Sequence, residues 1–126
     1  YPFASEGRAY GKVVQKYILE YVNRLQSGTV PFENIDKRIF RSIWEHKKVM
    51  LERIILVEKF FQMNDVLSKN YENIVKEADA IRMLYASHCI KRRDVILAVI
   101  KKRFKNLIHE EDIILNDFIK NVEEKF

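Results

Sequence analysis

The chain has 126 residues, 48% of them hydrophobic and 33% charged, with a formal charge of +5 and a pI near 9.3. That apolar share excludes a disordered tail, and three glycines with two prolines are too few for a turn-rich β sandwich or barrel. The single cysteine excludes an internal disulfide framework and a cysteine-based zinc site.

Apolar spacing is helical nearly throughout. Val13, Val14, Tyr17, Ile18, Tyr21, Val22 and Leu25 form a stripe that predicts a helix from Ser5 to Gln26. Ser27-Gly28-Thr29-Val30-Pro31 ends it, with Gly28 placed as a C-terminal cap. Ile35, Ile39, Phe40, Ile43 and Trp44 predict a second helix, with Trp44 mostly buried against the third. That third helix, Met50 to Met63, is apolar over most of its circumference, as expected of a central helix wrapped by others. Asn64-Asp65 offers an N-cap for a fourth helix from Val66 to Tyr85. A fifth holds Ile90 and Val95 to Leu107, and a sixth runs through Ile113, Phe118 and Val122. The joints near Trp44, Asn64, Cys89 and His109 contain neither proline nor glycine, so their boundaries are soft. Strand alternation, hairpin turns and internal repeats are all missing. The expected fold is a single all-α domain of five or six helices, with an interlocked dimer open as the alternative to a monomeric bundle.

The longest unbroken apolar run, Val95 to Ile100, is six residues long, whereas a membrane-spanning helix needs about 20. No span is therefore expected. The first residues, Tyr1-Pro2-Phe3-Ala4-Ser5-Glu6, lack the basic and apolar regions of a signal peptide. They also lack an initiating methionine, which fits a removed leader or a piece of something longer.

Catalytic constellations are weak. Cys89 follows His88 directly, and adjacent helical side chains point about 100° apart, so a buried thiol is the better reading than a nucleophile. His46, His88 and His109 lie on separate segments without metal-ligand spacing, and no phosphate-cradling glycine loop occurs. Arg82 and His88, with five residues between them, resemble the arginine–histidine motif of HEPN-type ribonucleases. Met83 replaces the polar residue that usually follows that arginine. A non-catalytic chain without metal or cofactor is the expectation.

Charge is unevenly placed. Lys91, Arg92, Arg93, Lys101, Lys102, Arg103 and Lys105 are opposed only by Asp94, whereas the segment from Glu110 onward is acidic. A solvated pair of helix faces is the plain reading. The functional one is a polyanion-binding set for nucleic acid or a heparan-type chain.

Three segments carry a resemblance: Ile39-Phe40-Arg41-Ser42-Ile43-Trp44, then Glu52-Arg53-Ile54-Ile55-Leu56 with Met63 after it, then Lys91-Arg92-Arg93-Asp94. With Asp112 to Lys120 as a last helix, the layout resembles the interferon-gamma family of helical cytokines over about two thirds of the chain. The chain departs from that family in having no Asn-x-Ser/Thr sequon, and the sequence stops at Glu123-Glu124-Lys125-Phe126, so the family's basic tail is absent or was cut. The resemblance implies a secreted homodimer that signals through a cell-surface receptor. It places receptor contacts at Gln26, Ser27, Gly28, Thr29, Val30, Glu33 and Lys37. The alternatives are a basic all-helical nucleic-acid-binding or packaging protein of viral or archaeal kind, a replication-complex subunit, or an intracellular helical scaffold.

Overall fold

A computed structural model describes residues 2–125, with side chains from residue 12 onward. Four long helices make up the architecture: α1 (Pro2–Ser27), α2 (Ile39–Phe60), α3 (Val66–Ile90) and α4 (Asp94–Glu123). A one-turn 3-10 helix, Phe32–Asn34, lies in the connection between α1 and α2. The helices run up, down, up, down. Helix α3 lies between α2 and α4 and packs on both, while α1 lies mainly against α4.

The all-α class is as expected, but four helices replace the five or six that the sequence suggested. Trp44 and His109, taken as joints, sit inside α2 and α4. Neither position has a residue that breaks a helix, and the flanking stripes stay in phase across both. The Met50 to Met63 segment is the second half of α2 and the turn after it, and Leu56 and Phe60 there are exposed. The central position belongs to α3, whose Tyr71, Ile74, Ala78, Ile81 and Tyr85 are all buried.

Helix ends follow local chemistry. Gly28 adopts φ 76°, its N–H bonds to the Leu25 carbonyl, and the Thr29 N–H bonds to that of Arg24, closing α1 with a Schellman motif. Gln62 plays the same part after α2 at φ 55°, with the Met63 N–H on the Glu58 carbonyl at 2.8 Å. A glutamine in the left-handed region carries a steric cost that glycine would avoid, so this stop is invisible to a search for Gly and Pro. At the start of α3, Asn64 accepts the Val66 N–H at 3.2 Å, but a buried carboxylate from the neighbouring helix also caps it. Glu58 of α2 accepts the Ser68 N–H at 3.1 Å.

At one end of the core, Phe40 meets Tyr85 and Phe104 edge-on, with ring centroids 4.9 and 5.8 Å away. Farther along, three helices share one carboxylate. Glu111 of α4 accepts from the Lys47 ammonium of α2 at 2.8 Å and from the Tyr71 hydroxyl of α3 at 2.6 Å. All three residues are buried, and burial together with the carboxylate holds the Tyr71 hydroxyl far above its ordinary pKa.

A buried ion pair is costly to break from one side only. Glu111→Leu strands the Lys47 ammonium and should cost about 3–5 kcal/mol, whereas Lys47→Met with Glu111→Leu should recover most of that loss. Urea unfolding of the single and double variants measures the difference; equal losses in both would show that the pair is not coupled.

Candidate partner-binding surface

The α1–α2 connection is bound down at one end of the bundle by two tyrosines. The Tyr21 hydroxyl of α1 accepts the Asp36 N–H at 2.7 Å, and the Tyr85 hydroxyl of α3 donates to the Asp36 carbonyl. Both polar groups of one peptide residue are thus held by side chains from two helices. Burial is the main reason the Tyr85 hydroxyl titrates well above its usual range. Within the strap, Ile35 is buried and Val30 and Phe32 rest on the core.

The strap lies on the α3–α4 turn. The Phe32 ring meets the buried His88 edge-on at 5.7 Å, and the Arg92 guanidinium stands 6.0 Å from the centre of that ring. His88 closes the turn, its Nδ1 accepting the Arg93 N–H at 3.1 Å. The strap and the turn therefore bring the expected receptor-contact residues and the first three residues of the basic set onto one surface.

On that surface Gln26, Ser27, Gly28, Thr29, Glu33 and Lys37 are exposed, and Val30 is half-buried. The Ser27 and Thr29 hydroxyls lie 2.8 Å apart, and Ser27 also donates to the Arg24 carbonyl at 3.1 Å. Lys91, Arg92 and Arg93 are exposed, with Arg92 paired to Asp94 at 3.0 Å. Ile90 stands 86% exposed and Val95 72% exposed on either side of these basic residues. Sequence reading missed both, because each belongs to an apolar stretch that periodicity assigns to the interior.

The rest of the basic set diverges. At about 100° per residue, Lys101, Lys105, Lys102 and Arg103 spread over roughly 200° of α4 and share no single face. Arg103 turns toward α3, where its guanidinium pairs with Glu77. The acidic segment expected as a separate helix is the second half of α4, so its contrast with the basic segment runs along one helix. At its ends α4 suits the helix dipole, with Asp94 in the first turn and Lys120 in the last.

Other expected features resolve individually. Trp44 is partly buried against the core, but beside α3 rather than on the Met50–Met63 segment, which belongs to its own helix. Lys48 and Arg82 stand over its ring at 3.7 and 4.5 Å, so the ring is already occupied by cations. Arg82 also pairs with Asp79 at 2.6 Å, while His88 is buried beneath the strap, so the HEPN-like pair is not a shared site. His46, on α2, is held below its usual pKa by burial first and then by Lys47. Among the described residues no cluster of histidine, cysteine and carboxylate side chains could hold a metal ion, and no helix is long and apolar enough to cross a membrane.

No family model, curated protein or solved structure matches this chain.

Cys89 lies on α3 near the strap, free and half-buried, and burial pushes its thiol above the usual value despite the opposing pull of Lys37. Alkylation by iodoacetamide at neutral pH should therefore be slower than for an unstructured cysteine, with a rate midpoint shifted to higher pH. A native-state rate above that of the free thiol would reverse this reading.

Proposed function

We propose that this chain is a non-catalytic binding protein that engages an acidic protein surface through the strap and the α3–α4 turn. The observation that carries the reading is the convergence of the two segments, with Ile90 exposed beside Lys91, Arg92 and Arg93. Lys37 of the strap stands close to Cys89, with Asp36 beside it and Glu33 near Arg92 as the strap's acids. An apolar residue ringed by basic ones suits a protein interface, where burial gives affinity and the charged rim steers the approach. A phosphate backbone rewards charge and offers little to an isoleucine. In the form implied by the interferon-gamma resemblance, the partner is a cell-surface receptor and the setting extracellular.

Fluorescently labelled chain should bind cell surfaces saturably, and Ile90→Asp with Lys91→Glu should lower that binding by more than about tenfold. The helical circular dichroism should stay unchanged, since both residues are exposed. The reading falls if the chain instead binds heparin or duplex DNA with a steep salt dependence that Lys101→Glu with Lys105→Glu removes. In that case the polyanion reading of α4 takes its place.

A further inference from the structure

Helix α2 carries a second apolar stripe. At about 100° per residue, Val49, Arg53, Leu56 and Phe60 fall within roughly 60° of one another, on the side opposite Phe40, Lys47, Ile54 and Glu58. The inner four are the buried residues of α2, while Val49, Leu56 and Phe60 are 44%, 65% and 80% exposed. The separations along this outer line are four, three and four residues, the spacing of a coiled-coil seam. Among the described residues α2 buries its other face against α3 and the core, and on this line only Phe60 has a ring contact, edge-on with the neighbouring Phe61.

We propose that the outer stripe of α2 docks a second copy of this chain, α2 against α2 and antiparallel, about a two-fold axis. The argument for a second copy is self-complementarity. An antiparallel pair in register packs Val49 on the partner's Phe60 and Arg53 on the partner's Leu56, each contact made twice. The same register places Glu52 beside the partner's Lys59, offset by about 3 Å along the axis at 1.5 Å per residue. Neither the Glu52 carboxylate nor the Lys59 ammonium has an ion-pair or hydrogen-bond partner among the described residues of its own chain. The docking supplies both at once. In a parallel pairing the flank that carries Glu52 and Lys59 would face the partner's opposite flank, where Met50 and Val57 stand, and neither charge would gain a partner.

Two features fix the character of the dimer. The line from Val49 to Phe60 is only about 17 Å long, so the interface is smaller than the ~800 Å² per partner of stable complexes, and association is weak. Arg53 interrupts the seam; its methylene stem covers the partner's Leu56 while the guanidinium reaches water, a polar seam residue that gives up affinity for register. This is docking of two complete bundles, unlike the interlocked arrangement considered from sequence. It uses a face separate from the strap and the α3–α4 turn, and is independent of the function proposed for them.

Sedimentation equilibrium of the full chain from micromolar to millimolar concentration tests it. The wild type should move from monomer to dimer, and Leu56→Glu should raise the midpoint by more than about tenfold while remaining folded. Arg53→Leu should lower the midpoint. Glu52→Lys and Lys59→Glu should each weaken the dimer, and the two together should restore it. A monomeric wild type at millimolar concentration, a Leu56→Glu variant that dimerises as wild type, or a charge-swapped double variant no better than the singles would overturn the proposal. So would a dimer that separates only when the chain unfolds, the signature of interlocking.

Discussion

The Glu111 carboxylate fixes the relative placement of three helices. It sits on the buried face of α4 and holds a cation from α2 and a hydroxyl from α3, so neither helix can slide or rotate without abandoning a buried charge. Apolar packing alone tolerates such slips, because one aliphatic contact substitutes for another at little cost. A buried charge does not, since its hydration must be replaced atom for atom. The register in which Phe40 meets Tyr85 and Phe104 near the other end of the core is compatible with that one arrangement.

From this register the functional end follows. Tyr85 lies on the same buried face of α3 as Tyr71, so fixing Tyr71 on Glu111 also aims Tyr85 at the strap. Tyr85 and Tyr21 then hold the two polar groups of Asp36, and the strap settles Phe32 onto His88. His88 in turn closes the α3–α4 turn through the Arg93 amide, which leaves Ile90 and Lys91 facing water. The candidate surface is thus a consequence of how α3 is seated, and it stays in place only while both tyrosine hydroxyls keep their partners.

Much of this was legible in the chain. The stripe through Ile18, Val22 and Leu25 read correctly as a helix, and Gly28 as its stop, because a 3.6-residue period and a left-handed cap are local properties. The stop at Gln62 was not legible, since glutamine gives no local sign that it will take a positive φ. The charged members of the core left a faint trace: Lys47 falls between Ile43, Trp44 and Met50, Leu51 on an apolar stripe, and Glu111 falls four residues after Leu107. A charge in such a position marks a buried partner, though not which one.

The sequence by itself determined the all-α class, the course of the apolar stripes and the end of α1, because each depends on residues within a few positions of one another. Only the tertiary structure decided that Trp44 and His109 lie inside continuous helices, that α3 occupies the centre, and that the 28–38 strap meets the 91–93 turn. Those outcomes depend on pairs such as Lys47 with Glu111 and Tyr85 with Asp36, separated by 64 and 49 residues. No local period encodes contacts at that range; they arise when buried polar groups must find each other to replace the water that folding removes.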